Sequence, residues 1–161
     1  MAVKYSFENF NKESMAKASA QNLSISLKKS VELNNAIRGK KVKVAVAYLE
    51  NVIEKKAVVP YRKYRAEVAH QRGKGIDTGG FPVNVAKETL RVLKSALKNA
   101  KEKELSEESL YLVAISSRKG VNRFSLSRYM GRKMKSTNLE VVVGVREKNS
   151  KKTSKVEAKK E

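Results

Sequence analysis

The sequence predicts a fold that combines α-helices with β-strands, because both hydrophobic periodicities occur along it. Three segments repeat apolar residues at helical spacing, and three others are β-rich or alternate between apolar and polar residues. The helical segments are residues 26–38, residues 42–56 and a segment that starts at residue 82. The β segments are residues 17–26, 110–115 and 139–145. The chain of 161 residues is long enough for one domain with a hydrophobic core, which we expect over residues 1–147.

The first two predicted helices follow each other closely. Ser26 is the expected N-cap of the first helix, and Gly39 offers a left-handed stop after it. Only two or three residues then separate the two helices, so we expect them to pack as neighbours. The second helix carries one wide apolar stripe, formed by Val42, Ala45, Val46, Leu49, Val52 and Ile53.

The third predicted helix has the clearest apolar stripe of the chain. Six basic and five acidic residues between positions 87 and 108 mostly occupy the rest of its surface. We therefore interpret this helix as a packing element and assign it no chemistry. The stripe consists of Ala86, Leu90, Leu93, Leu97 and Ala100.

Residues 116–138 connect the last two β segments. A structureless loop of this length is uncommon in a compact domain, so we expect the two strands to continue outwards as an extended hairpin over about residues 110–145. Ten or so residues in each arm would carry its tip about 30 Å from the core. Such a ribbon is at best marginally stable alone, so something else must hold it. The Lys-rich tail over residues 148–161 is expected to be disordered by itself.

The composition excludes several functional classes. Thirty-six Lys and Arg residues against sixteen Asp and Glu residues give a net charge of +20, which indicates a polyanionic partner. The chain has no Cys and one His, so disulfides, Cys-based zinc sites, thiol nucleophiles and His pairs are excluded. The longest apolar runs are six residues, against about 20 for a membrane helix, and the first residues lack a secretory signal. We expect a cytoplasmic protein without a membrane partner, metal or cofactor.

The most informative charge cluster lies in the predicted hairpin, where residues 110–139 contain no acidic side chain. Seven cations with Phe124 and Tyr129 among them favour contact with RNA, whose phosphates, shape and unpaired bases proteins read. A solvated hairpin with a protective basic edge is the simpler alternative. A DNA-binding architectural ribbon, with Phe124 and Leu126 as an apolar wedge, is another. The seven cations are Arg118, Lys119, Arg123, Arg128, Arg132, Lys133 and Lys135.

Two further basic clusters lie outside the hairpin. The second cluster belongs to a weakly periodic insertion over about residues 60–80, and it contacts either RNA or only solvent, with its Tyr residues packed back on the helices. The third cluster includes two lysines in the first turn of a helix, where the macrodipole does not favour cations; a nearby phosphate or a solvated face would explain them equally well. The second comprises Arg62, Lys63, Arg65, Arg72 and Lys74, and the third Lys28, Lys29, Arg38, Lys40 and Lys41.

No set of residues predicts catalysis. His70 lies in the insertion without a second His in the chain and without a convincing carboxylate partner near it in sequence. The glycines around Gly75 lack the Gly-Lys-Ser/Thr ending of a phosphate-binding loop and follow no buried strand. The glutamates are scattered on predicted helix faces and suggest neither hydrolysis nor a two-metal site. An RNA-modifying enzyme is therefore the weakest alternative.

Several motifs of this chain resemble a known family. They are Ile37-Arg38-Gly39-Lys40, then Lys119-Gly120, Arg123, Arg128 and Gly131-Arg132 in the hairpin, and the insertion VPYRKYRAEVAHQRGKG followed by GGFPV. Together they resemble large-subunit ribosomal protein twenty-two, in the bacterial numbering of the family. The insertion is typical of its archaeal and eukaryotic branch.

The resemblance implies a small α+β domain, in which three helices pack on a three-stranded antiparallel sheet with a long extended β-hairpin. It also implies a structural protein of the large ribosomal subunit, whose partners are large-subunit rRNA, neighbouring ribosomal proteins and the nascent peptide. The hairpin tip would line the peptide exit tunnel. The candidates at the tip, for the tunnel or for base stacking, are Phe124, Ser127 and Tyr129.

Overall fold

The computed structural model describes residues 5–73, 75–124, 126, 128 and 131–145 of the chain. Lys74, Ser127, Tyr129 and the tail over residues 148–161 lie outside the described residues. The described helices are α1 (Leu27–Ile37), α2 (Val42–Ile53) and α3 (Val83–Lys101). The strands are β1 (Met15–Leu23), β2 (Val59–Pro60), β3 (Gly79–Gly80), β4 (Leu110–Lys119), β5 (Arg123–Phe124), β6 (Lys133–Met134) and β7 (Thr137–Val145).

The central sheet is antiparallel and has the order β1-β7-β4. Its middle strand, β7, buries Leu139, Val141 and Val143 completely. Strand β4 contains a register shift between Leu112 and Ala114, which leaves Val113 without a partner in the ladder. Because of this extra residue, the buried positions change parity along β4, from Leu110 and Leu112 to Ile115.

The three helices are packed on this sheet. Helix α1 lies against β4, α3 lies against β1 and β7, and α2 packs on α3. Fully buried Leu33, Ile37, Leu49 and Leu93 fill the space between these elements, and burying each such side chain contributes roughly 1.5–3 kcal/mol. The arrangement confirms the predicted α+β fold of three helices and a three-stranded antiparallel sheet.

The helix ends follow local backbone geometry. Gly39 has the expected left-handed conformation, with φ of 74°. Ser26 occupies the N-cap of α1, but the predicted side-chain capping bond is absent. Helix α2 ends at Ile53 rather than at residue 56, because Lys55 adopts φ of 61° and the N–H of Lys56 turns back to the carbonyl of Asn51.

The buried face of α3 differs from the predicted stripe at two positions. Ala86, Leu93 and Ala100 are buried as expected, whereas Leu90 and Leu97 are half-buried at the margin. Smaller side chains complete the face because α3 packs closely on β1, β7 and α2. These buried residues are Val85, Thr89, Val92 and Ala96.

A segment before β1 covers part of the sheet face opposite the helices. The N–H and hydroxyl of Ser6 both donate to Glu140 of β7, over 2.9 and 2.5 Å. The ammonium of Lys17 lies 4.4 Å from the ring centre of Tyr5 and 4.5 Å from that of Phe10. These contacts fix the segment across β1 and β7, an arrangement that the sequence did not indicate.

The insertion and the hairpin contain the remaining pairings. Strands β2 and β3 close the insertion at its base, with Val59 paired to Gly80. Beyond the last β4–β7 pair, Lys119 with Thr137, the chain pairs again between β5 and β6, with Arg123 opposite Met134. The two ladders are joined by a bond from the N–H of Gly120 to the carbonyl of Ser136, at 3.0 Å. That these pieces form one long extended hairpin stays a prediction.

Candidate nucleic-acid interface

Some residues of the second and third basic clusters lie beside each other, although the sequence separates the two clusters by more than twenty residues. Arg62, Lys63 and Arg65 are exposed on the insertion, and Lys28 and Lys29 are exposed on the first turn of α1. The ring of Tyr64 lies close to one lysine of each group. Its centre is 5.8 Å from the ammonium of Lys28 and 5.6 Å from that of Lys63. We name Lys28, Lys29, Arg62, Lys63, Tyr64 and Arg65 the α1–insertion surface.

The buried carboxylate of Glu32 positions this surface. Glu32 is 1% exposed, and its two oxygens accept three backbone N–H groups of the insertion. The N–H of Arg62 is 3.0 Å from Oε2, and those of Lys63 and Tyr64 are 2.9 and 2.6 Å from Oε1. Since the backbone of this turn points inwards to the carboxylate, the basic side chains of the turn point outwards.

The charge of Glu32 also acts on Tyr61. Burial raises the pKa of the Tyr61 phenol, and the negative charge of Glu32 raises it further. The Thr78 hydroxyl donates to the carbonyl of Tyr61 over 3.1 Å, which ties the start of the insertion to its end. The insertion is therefore anchored at both ends, while Arg62, Lys63, Arg65 and Arg72 remain in solvent.

A recess of about 260 Å³ opens beside the α1–insertion surface, and Lys40, Tyr48 and Arg62 line it together with Glu32. The ammonium of half-buried Lys40 lies 4.6 Å from the ring centre of Tyr48. The Tyr48 hydroxyl donates to the carbonyl of Val58 at 3.0 Å, and burial raises its pKa. The recess thus combines two cations with an aromatic ring held in place by a hydrogen bond.

Arg38 is oriented towards the sheet instead. Its Nη2 donates to the carbonyl of Ile115 in β4 over 3.2 Å, although the side chain remains exposed. The adjacent loop is held against the same strand, because the N–H of Gly39 donates to Leu112 and the N–H of Leu112 to Lys40. Arg38 therefore lies between α1 and the base of the hairpin.

All seven predicted cations of the hairpin are exposed. Within the described part of the chain, none of them forms an ion pair with a carboxylate. The ring of Phe124 is 57% exposed, and Leu126 is almost fully exposed. A cationic segment that leaves large apolar side chains in solvent is suited to phosphates and to flat apolar partners such as bases.

Polar side chains hold the base of the hairpin. Asn22, with φ of 53°, is at the end of β1, and its Oδ1 accepts the N–H of Val121 and the hydroxyl of Ser136, both at 3.1 Å. The N–H of Asn22 donates to Oδ1 of Asn138 over 2.8 Å. Gly120 lies against these groups, and an added Cβ would be 2.8 Å from Asn22 Oδ1. A larger residue at position 120 would therefore force these side chains to shift.

The environment of Glu140 is polar although the residue is 8% exposed. Burial by itself would raise the pKa of this carboxyl. The hydrogen bonds from Ser6, the charge of Arg118 and the hydroxyl of Ser116 together outweigh burial and leave the pKa lowered. Glu32 and Glu140 correct the expectation that the glutamates lie scattered on helix faces.

His70 has a carboxylate partner, Asp77, seven residues further along the chain. Its Nδ1 is 2.9 Å from Oδ1 of Asp77, so the prediction of no nearby carboxylate was wrong. A bridge between His70 and Thr78 brings the pair together across the insertion. Both side chains are largely exposed, which is typical of a surface pair within a loop. Arg72 is exposed in the same loop.

Among the described residues, no group of three or more His, Cys, Asp or Glu side chains is arranged to hold a metal ion. None of the described helices combines the length and apolarity that crossing a membrane would need.

Comparison with known proteins identifies the family. The family model described as ribosomal protein L22p/L17e matches residues 18–143, which span the sheet, the helices and the hairpin. The chain belongs to the ribosomal protein L22p/L17e family. Proteins of this family are structural and non-enzymatic, which confirms the expectation of a cytoplasmic, non-catalytic ribosomal protein and decides against the enzymatic alternative.

Archaeal proteins are among the relatives of this L22p/L17e protein. It is 41% identical to the large ribosomal subunit protein uL22 of Ignicoccus hospitalis, over 83% of this chain and 89% of the relative. The uL22 proteins of Methanosphaera stadtmanae and Archaeoglobus fulgidus are 38% and 35% identical, over 87% and 89% of this chain and 95% and 97% of their own lengths. The predicted archaeal/eukaryotic type is therefore confirmed.

Proposed function

We propose that this protein is a structural component of the large ribosomal subunit that binds large-subunit rRNA, with the tip of its hairpin lining the nascent-peptide exit tunnel. The observation that carries the proposal is the set of seven exposed hairpin cations, which form no ion pair within the described part of the chain. Membership of a ribosomal family supports it. The relatives are named as proteins of the large subunit.

The binding mechanism is electrostatic. Each Lys or Arg that meets a phosphate releases condensed counterions, which favours binding and makes it sensitive to salt. If most of the seven hairpin cations meet phosphates, log affinity falls with log salt at a slope of roughly −5 to −6. Four of the seven hairpin cations are arginines, and an arginine can bind a phosphate with two parallel hydrogen bonds. These four are Arg118, Arg123, Arg128 and Arg132.

The hairpin gains its stability from the RNA. Among the described residues, the β5–β6 ladder has two residue pairs, and a two-stranded ribbon is marginal in water. Its exposed apolar side chains, including Phe124 and Met134, would be covered by bases or by the tunnel wall in the assembled subunit. Phe124, Ser127 and Tyr129 remain the candidates for stacking and for contact with the nascent peptide.

The domain over residues 1–147 anchors the hairpin. Its α1–insertion surface and the recess beside Lys40 would contact a second part of the rRNA, with Arg38 between that surface and the hairpin. Arg72 and Lys74 would extend the contact along the insertion. Neighbouring ribosomal proteins would meet the remaining surface, and the tail over residues 148–161 is left without an assigned role.

The test is a charge reversal in the hairpin. Arg128→Glu together with Arg132→Glu should leave the domain folded and weaken binding to large-subunit rRNA severely, at least tenfold at about 0.15 M salt. Lys43→Glu together with Lys55→Glu is the matched control, because it makes the same change in net charge around α2. Filter binding over a range of salt concentrations measures both variants.

Two results would contradict the proposal. One is unchanged rRNA affinity of the hairpin variant at moderate salt, while its circular dichroism matches that of the original protein. The other is equal competition by duplex DNA and by structured rRNA, which would favour a general basic ribbon over a ribosomal role. A loss of affinity confined to the hairpin variant supports it.

A further inference from the structure

Helix α3 carries a row of cations along its exposed side. Lys87, Arg91, Lys94 and Lys98 are separated by four, three and four residues, and all four are exposed. At about 100° per residue, these spacings place the four side chains within about 60° of one another, opposite the buried face of the helix. We name these four residues the α3 stripe.

The α3 stripe is not balanced by acidic residues. Within Val83–Lys101 there are five cations and one acid, Glu88, so the mixed charge predicted for this region comes from residues after the helix. There, Glu107 pairs with Lys101 and Glu108 with Lys43. The only pairing of the stripe within the described residues is a distant one, 4.0 Å between Arg91 and Glu88. Solvated helix faces more often interleave the two signs.

The stripe borders a groove of about 480 Å³, which contains Ser95 and the half-buried Leu90 besides the four cations. Along the helix axis, Lys87 and Lys98 are about 16 Å apart, at 1.5 Å per residue. A row of this length faces several successive phosphates of one nucleic-acid strand. Ser95 adds a hydroxyl, which is another common donor to phosphate oxygens.

We infer that the α3 stripe binds an rRNA backbone segment of its own, in addition to the contacts of the hairpin and of the α1–insertion surface. The inference rests on the proposed function. Its groove shares no lining residue with the recess at Lys40 and Arg62, so the two sites are separate. An acidic protein is the less suitable occupant, because protein interfaces are depleted in Lys and enriched in aromatic residues, and the groove has three Lys and no aromatic ring.

The experiment compares two triple variants of the full chain. Lys87→Gln, Lys94→Gln and Lys98→Gln should lower the affinity for large-subunit rRNA about tenfold at moderate salt, and should reduce the salt slope by roughly 2 to 3. Lys43→Gln, Lys55→Gln and Lys56→Gln remove the same charge elsewhere and should change affinity far less. Unchanged affinity and slope of the stripe variant would overturn the inference, even if the hairpin variant binds weakly.

A second measurement locates the contact. The chain contains no cysteine, so Ser95→Cys gives a single attachment point for an iron chelate that cleaves nearby RNA. In reconstituted large subunits it should cut one compact rRNA segment, which Ala47→Cys, on the exposed surface of α2, does not cut. Absence of such cleavage would overturn the inference. The inference would also be overturned if the stripe variant bound rRNA normally but failed to assemble into large subunits. That result would assign the stripe to contact with an acidic protein.

If the original chain itself does not bind large-subunit rRNA, both the proposed function and this inference fail. If the original chain binds and only the hairpin variant is weakened, the proposed function survives and the assignment of the stripe fails. The two failures are therefore distinguishable within one set of titrations.

Discussion

The carboxylate of Glu32 accepts the backbone N–H of Tyr64 at 2.6 Å, across a separation of 32 residues. Together with the bonds from the N–H groups of Arg62 and Lys63, this bond places an acidic side chain at the centre of a basic turn. Neighbouring positive charges repel one another and would by themselves destabilise a folded turn, and the buried carboxylate offsets this repulsion. The insertion can present several cations to a polyanion because a buried negative charge fixes its backbone before any partner is bound.

The first prediction concerns this carboxylate. Glu32→Gln keeps the shape of the side chain, but it turns an amide NH₂ towards backbone donors and removes the charge that strengthens the bonds. We expect a loss of about 2–4 kcal/mol in the free energy of unfolding. Chemical denaturation measures it, and amide exchange should become faster at Arg62, Lys63 and Tyr64.

The control for this substitution is Glu50→Gln. Glu50 is exposed on α2, so its replacement should change stability by less than about 0.5 kcal/mol. If Glu32→Gln had as small an effect, or if exchange increased evenly over the whole chain, Glu32 would not be the specific anchor of the insertion.

The sequence was sufficient to predict the helices and the long strands, because hydrophobic periodicity indicates which side of an element is buried. It could not indicate which distant residue a given side chain contacts. Glu32 is in a segment of α1 whose pattern suggests one more helix-face charge, and its partners are backbone N–H groups, which leave no trace in side-chain spacing. The same holds for Ser6, whose contact with Glu140 spans 134 residues.

The sequence predicted which basic residues belong to the candidate site, but not how they are arranged in space. Charge clustering identified Lys28 and Lys63 as candidates, but it gave no sign that both lie beside the ring of Tyr64. Over residues 87–108 together, positive and negative charges nearly balance, and this balance hides the α3 stripe. Within the helix itself, and on one face of it, the sequence is almost purely basic.

The second prediction concerns the pH dependence of stability through Glu140. Its pKa in the folded protein lies below the ordinary value of 4.5, so the unfolded chain binds the proton more tightly than the folded one. The stabilisation by ionised Glu140 is therefore complete above about pH 4.5, and it is lost as the pH falls through the lower folded-state value. Glu140→Gln should be less stable than the original chain by about 1–3 kcal/mol at pH 7, and this difference should shrink towards acid pH.

Glu107→Gln provides a matched comparison for Glu140. The pKa of Glu107 is also lowered, by its hydrogen bond and charge interaction with Lys101, but that pair is exposed and screened by salt. Its replacement should leave the acid limb of the stability curve nearly unchanged. An acid limb that Glu107→Gln alters and Glu140→Gln does not would contradict the role given to Glu140.

The third prediction concerns the base of the hairpin. Gly120→Ala would place a methyl group against the Ser136 hydroxyl, 2.8 Å from Asn22 Oδ1 and 3.0 Å from Asn138 Oδ1. Because these side chains are tied to one another and to the N–H of Val121, they cannot all move away. We expect a loss of about 1–3 kcal/mol in unfolding free energy, measured by chemical denaturation.

A second substitution separates crowding from any intrinsic effect of alanine at position 120. Ser136→Ala removes the nearest atom that the new methyl group would meet, together with one bond to Asn22. If crowding is the cause, Gly120→Ala should destabilise the Ser136→Ala protein by clearly less than it destabilises the original chain. An equal loss in both backgrounds would mean that crowding against the Ser136 hydroxyl is not the cause of the destabilisation.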